Sequence, residues 1–131
     1  MDYTQWARET FKNDIYATEV TGITVDKAVD GTSVCSLEIT DKHLNADRHV
    51  MGGVTFTLAD LTSAVAANEG ELTTVSINSS ISYLGVAKGK KLIAEGKTIK
   101  KGKSITTVSV DIHDELGTMV AHAVFTGMKV R

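Results

Sequence analysis

Between His49 and Glu69 the chain carries a single formal charge, Asp60, inside "VMGGVTFTLADLTSAVAAN". Val54, Leu58, Leu61 and Val65 recur at helical spacing, which predicts a helix over residues 53 to 68. Phe56, Ala59, Ala64 and Ala67 fill much of the remaining circumference, and a helix with so little polar surface is ordinarily buried on several sides. With about 100° of turn per residue, Asp60 points away from the Leu/Val stripe and shares its side with Phe56, Ala64 and Ala67. A second packing partner is expected there. The stretch is long enough to raise the question of a membrane span, but Asp60, Ser63, the threonines and the glycine pair argue against one.

The flanks read as β-structure. "TEVTGITVDKAVDGTSVCSLEIT" alternates β-branched and polar residues around Asp30-Gly31, a pair that tolerates positive φ at both positions and so predicts a hairpin. In "TTVSINSSISYL" Val75, Ile77, Ile81 and Tyr83 are expected on one face, with Thr74, Ser76, Asn78, Ser80 and Ser82 on the other. Three further strands follow, with turns at Lys101-Gly102 and between Asp114 and Gly117, and an antiparallel meander is the expected arrangement. "DKHLNADRHVM" has no periodicity and reads as a loop. At the N-terminus Tyr3, Trp6, Ala7, Thr10 and Phe11 suit a short amphipathic helix that Thr4 would cap. One long helix and roughly six strands predict an α+β fold in which a curved antiparallel sheet wraps a central helix, preceded by an N-terminal helix. At 131 residues, a single domain spanning 1–131 is expected.

Fourteen Lys and Arg against sixteen Asp and Glu leave a net charge of -2, which gives no general attraction to nucleic acid or an anionic membrane. The single cysteine, Cys35, cannot form an internal disulfide, and the first residues lack the apolar core of a secretory signal. A cytoplasmic location is the expectation.

A carboxylate on a buried helix loses hydration and needs pairing, hydrogen bonds or a proton. One reading of Asp60 is structural, a side chain reaching a subunit edge and accepting Thr or Ser hydroxyls. The other is catalytic, because a partly desolvated carboxylate is a stronger base and nucleophile than one in water. Gly52 and Gly53 allow close backbone approach at the helix start, where unpaired N–H groups and the helix dipole can polarise a carbonyl.

The stretch "HLNADRHVMGGVTFTLAD" resembles the signature of the hotdog-fold acyl-CoA thioesterases, in the PaaI-type branch of the 4-hydroxybenzoyl-CoA thioesterase superfamily. Asn45 lies seven residues before Gly52 and fifteen before Asp60, as in that pattern. The resemblance implies a hotdog fold that hydrolyses an acyl-CoA to free acid and CoA with no cofactor. By it, Asp60 is the general base or nucleophile, the Gly52 N–H polarises the thioester carbonyl, Asn45 positions the reactants, and Ser76 orients the attacking water. His43 falls on the first motif position, where it would shape the loop or pocket. Gly53, Phe56 and Tyr83 would border the substrate, and Lys88 and Lys90, within a lysine cluster that includes Lys91, Lys100, Lys101 and Lys103, would meet the CoA phosphates. The family's site lies at a homodimer interface, with Asp60 reaching across from the partner's Asn and Gly, and a dimer of dimers is implied.

Two positions depart from the pattern: Arg48 stands where the family has Gly, and Met51 where it has His. His49, His113 and His122 are expected as solvated or satisfied polar residues, and no spacing predicts a metal site. The rival to catalysis is a module of the same fold that binds or senses acyl-CoA without cleaving it.

Overall fold

A helix of sixteen residues lies in the hollow of a six-stranded antiparallel sheet. The computed structural model describes residues 1–131. In chain order the elements are α1 (Thr4–Phe11), a π-helical turn (Tyr16–Val20), β1 (Thr24–Val29), β2 (Thr32–Glu38), a 3-10 turn (Asp41–His43), α2 (Gly52–Ala67), β3 (Thr74–Tyr83), β4 (Lys91–Lys101), β5 (Ile105–Asp114) and β6 (Met119–Lys129). The strands lie in the order β1-β2-β4-β5-β6-β3. No helix is long and apolar enough to cross a membrane.

The Leu/Val stripe explains the seat of α2. Leu58, Leu61 and Val65 are buried against the sheet, together with Ala59 and Ala66. Burying each of the three larger side chains is worth roughly 1.5–3 kcal/mol. The sheet answers with small buried residues, Ser33, Ala94, Ala121 and Ala123, that let it curve around the helix. The closest approach is at Gly96 of β4: a Cβ there would sit 2.4 Å from Ser33 Oγ and 3.2 Å from the Thr62 carbonyl oxygen. Ser33 Oγ donates to that carbonyl at 2.7 Å, which ties β2 to the helix backbone.

The Asp30-Gly31 hairpin forms as expected, with φ of 45° and 75° at the two turn residues. Other expectations need correction. Thr18 to Thr21 do not extend β1; they belong to the helical turn and its end, and the chain straightens only after Gly22, at φ 87°. Thr4 does not cap α1. The Asp2 carboxylate accepts the Thr4 N–H at 2.8 Å, while the Thr4 hydroxyl accepts the Ala28 N–H at 3.0 Å. The C-terminal strands form a meander only over β4-β5-β6; β3 pairs with β6 on the outside and does not touch β4. A bulge in β3 between Ser76 and Asn78 also breaks the expected alternation. It places Ser76, opposite Gly127, on the same face as Ile81 and Tyr83, and turns Val75, opposite Met128, to the other face.

The two edges of the sheet are treated differently. At β1 the Tyr3 N–H donates to Ala28 O at 2.7 Å, and Arg8 donates to the carbonyls of Val25 and Asp26, so α1 and its leading residues cover the edge. At β3 nothing covers the edge, and Val75, Ile77 and Tyr83 are 45%, 53% and 55% exposed.

Two local devices hold the loops. Asp114, fully enclosed, accepts the Lys88 and Gly89 N–H groups on one oxygen and those of Leu116 and Thr118 on the other, at 2.8–3.0 Å. Enclosure works to raise its pKa, but the donated N–H bonds from Lys88, Thr118 and Gly89 outweigh it and hold the carboxylate well below its ordinary value. In the loop before α2, Arg48 takes φ of 63°, the left-handed conformation that glycine adopts most easily. Asn45 makes this possible: its carbonyl oxygen accepts the Arg48 N–H at 3.0 Å, and its side-chain oxygen accepts those of Asp47 and His49 at 2.9 and 3.1 Å.

Both devices yield predictions. Asp114→Ala should lower Tm at pH 7 by on the order of 10 °C, because it removes the shared acceptor of four backbone N–H groups. Since the folded pKa is depressed, the Asp114 contribution is complete above about pH 4 and fades below it, so the gap between wild type and variant should narrow in acid. Thermal melts from neutral pH to pH 3 check both points. Arg48→Gly should raise stability by about 1 kcal/mol, read as a higher Tm, by relieving the left-handed strain.

Candidate functional site

The candidate residues fall into two groups on one chain. The first gathers at the start of α2, where a cleft of about 220 Å³ is lined by Asn45, His49, Gly52 and Tyr83, with Gly85 and Ala87 beyond. Met51 precedes the helix in extended conformation, so the N–H groups of Gly52 and Gly53 lie in the first turn and find no acceptor in the chain. With the Asn45 side-chain oxygen engaged in the loop, its amide nitrogen is the group left without a partner. Tyr83 Oη donates to Gly52 O at 3.1 Å, and the ring lies so close that a Cβ at position 52 would meet it at 3.2 Å. Any side chain at position 52 would require the ring to give by a few tenths of an ångström.

The second group lies further along the open side of α2. Asp60 and Ser76 line one cleft of about 260 Å³ with Ser63, Thr74, Thr106 and Phe125. The bulge in β3 is what aims Ser76 toward this cleft. Asp60 also borders a second groove, about 470 Å³, walled by Asp14, Ile15, Tyr16, Phe56 and Ala64. Phe56 packs on Phe125 with ring centroids 5.7 Å apart, which ties this wall to the core.

Within one chain Asp60 is exposed, because the sheet covers only one side of α2 and leaves the opposite side open. Its carboxylate nevertheless sits between two concave surfaces. Lost hydration pushes its pKa up, and the like charge of Asp14 adds to the rise. No cation lies within ion-pair distance of either acid.

Gly52 and Asp60 are eight residues apart on one rigid helix, about 12 Å along its axis. The Gly52 N–H and the Asp60 carboxylate of one chain therefore cannot touch the same carbonyl group.

The remaining candidates have separate places. His43 is buried, with Nδ1 accepting the Thr40 N–H at 3.0 Å and Nε2 2.7 Å from the Thr21 carbonyl, so the ring braces the loop and both nitrogens are engaged. Gly53 is exposed with open space around it. Lys88 and Lys90 are exposed on the segment that leaves the Asn45 cleft, their backbone held by Asp114 and Glu115 and their ammonium groups unpaired. His113 and His122 pair with Glu95 and Asp111, each at 2.7 Å. No three His, Cys, Asp or Glu side chains are grouped to hold a metal ion. Sequence reasoning missed Asp14, Ile15 and Tyr16 beside Asp60, because no local pattern in "KNDIYA" signals that the segment folds back onto α2.

The thioesterase superfamily matches residues 48–121. Human acyl-coenzyme A thioesterase 13 is 31% identical over 103 residues, covering 76% of this chain and 74% of that protein. A putative esterase of Archaeoglobus fulgidus is 31% identical over 102 residues, covering 77% of this chain and 66% of that protein. Among solved structures, a hypothetical thioesterase from Streptococcus pneumoniae with coenzyme A superposes with a TM-score of 0.83 at 27% identity, over 92% of this chain and 96% of that one. The E. coli PaaI protein from the phenylacetic acid degradation operon shares the fold, with a TM-score of 0.89 at 21% identity over 98% and 95% of the two chains. Sequence match and superposition agree: the chain belongs to the thioesterase superfamily and is a thioesterase enzyme with the hotdog fold.

Proposed function

We propose that the protein hydrolyses acyl-CoA thioesters at a site shared between two copies of the chain. The observation that carries this reading is the separation of the two residue groups: unpaired N–H groups with Asn45 at one end of α2, and a carboxylate among hydroxyls along its open side. The human relative supports the substrate class by its name, and the streptococcal structure was solved with coenzyme A.

In this reading the thioester oxygen rests against the Gly52 N–H and the helix N-terminus of one copy, which stabilise the developing oxyanion. Asp60 of the second copy takes a proton from water held by Ser76. The water oxygen attacks the thioester carbon, the C–S bond breaks, and the thiolate leaves to become the CoA thiol, with the acyl group released as the acid. A cleft lined by Ser63, Thr74, Ser76 and Thr106 supplies hydroxyls for that water, which favours Asp60 as base over direct attack. Asn45 orients the thioester from the Gly52 side, Gly53 leaves room for it, and His43 braces the loop. Phe56 and Tyr83 border the acyl chain, while Lys88 and Lys90 face the CoA phosphates. The bare edge of β3 offers the surface on which the two copies join, and a dimer of dimers would leave both sites intact.

A thiol-release assay over short, aromatic and long acyl-CoAs tests the activity. Asp60→Asn should reduce kcat by roughly 10²-fold or more with binding retained. Because the folded pKa of Asp60 is raised, its ionised form opposes folding at neutral pH, so the same variant should raise Tm slightly. Acyl-CoA binding without thiol release by the wild type would favour the sensing module instead. Mixing inactive Asn45→Ala and Asp60→Asn proteins should restore part of the activity, since a mixed pair holds one complete site; no recovery despite subunit exchange argues against sharing. Single turnover in oxygen-18 water should leave Asp60 unlabelled if it acts as base.

A further inference from the structure

The open side of α2 holds a second carboxylate that the proposed chemistry does not use. Asp14 lies where the chain turns back after α1, and its backbone is fixed on both sides: its N–H donates to Phe11 O at 2.9 Å, and its carbonyl accepts the Thr18 N–H and hydroxyl, each at 2.9 Å. Its carboxylate makes no hydrogen bond or ion pair in the chain and lines the same groove as Asp60. The other walls of that groove are largely apolar, from Ile15, Ala17, Phe56, Leu61 and Ala64. The titratable groups facing Asp60 from the N-terminal segment are Asp14 and Tyr16, while α2, β3, β5 and β6 offer only hydroxyl and apolar neighbours.

The geometry points to Asp14 as a positioning residue for the reaction, which acts through Asp60 by sharing its groove and keeping that carboxylate a strong base. Two like charges between apolar walls oppose each other's ionisation, and the effect grows as an acyl chain or a second copy excludes water from the groove. The Asp60 pKa is raised first by lost hydration and then by Asp14, and burial raises that of Asp14 as well. Asp14 thus makes proton removal from water easier without touching the substrate, and it opposes the retention of a carboxylate product at the same place. The inference rests on the proposed hydrolytic role of Asp60 for its effect on rate, but the coupling between the acids can be read without turnover.

The test is carried out on the full chain. In Asp14→Asn the acid limb of kcat/KM should move to lower pH, and kcat on the alkaline plateau should fall because Asp60 has become a weaker base. Asp14→Glu, which keeps the charge, should retain the wild-type profile. Carbon-13 labelling of aspartate carboxyls follows the titrations directly by NMR. Asp60 should titrate at lower pH in Asp14→Asn, and by reciprocity Asp14 should titrate at lower pH in Asp60→Asn. An Asp60 titration and acid limb unmoved in folded Asp14→Asn overturn the inference while thiol release persists. A wild type that releases no thiol overturns the hydrolytic reading instead, and leaves the NMR coupling to stand or fall alone. Should Asp14→Asn fail to fold, the Asp14 titration in Asp60→Asn decides, and no shift there overturns the proposal.

Discussion

The contact between α2 and the concave face of the sheet governs the rest of the molecule. A sheet can enclose a helix over only part of its circumference, and here the enclosed part is the stripe of Leu58, Leu61 and Val65, drawn close by the bare backbone of Gly96 and the Ser33 hydroxyl. The other side is covered less completely, and on it stand Gly53, Phe56, Asp60, Ala64 and Ala67, all exposed or half-buried. The apolar packing that stabilises the fold thus also determines which helix residues face outward. It leaves a carboxylate among hydroxyl and apolar neighbours, neither fully hydrated nor compensated by a cation.

Rigidity in α2 also separates functions. A helix holds its two ends at fixed distance, so donors at its start and an acid two turns later serve different places in space. A flexible loop between Gly52 and Asp60 would let one chain bring them together; a helix forbids it. The loop before α2 is rigid for another reason. Asn45 ties three backbone N–H groups and so holds Arg48 in the left-handed region. Arg48 stands where the family has glycine, and the backbone takes the left-handed conformation all the same, with strain in place of freedom.

Much of this was legible in the sequence wherever the signal was local. The Asp30-Gly31 turn, the apolar period of α2 and its lone acid each lie within a few residues, and the fold class followed from them. The failures came from non-local packing. The bulge at Ile77 adds one residue and exchanges the faces of β3, so simple alternation placed Val75 and Ser76 on the wrong sides. Thr4 looked like a cap, but the nearby Ala28 N–H claimed its hydroxyl. An uncharged helix suggests cover on several sides, but one sheet has only one face to give, so Asp60 stands exposed within a single chain. Asp14 carried no signal at all, since its meeting with Asp60 depends on α1 turning the chain back over α2.

The unequal edges of the sheet set a limit on how copies can accumulate. Strand pairing is repetitive by nature, and an object able to pair at both ends can add units without end. Covering β1 with α1 removes one of the two ends. Whatever joins at β3 through its backbone meets a neighbour with no second free edge, so growth by that route stops at two. The N-terminal helix would then be the terminator that separates a finite particle from a fibre.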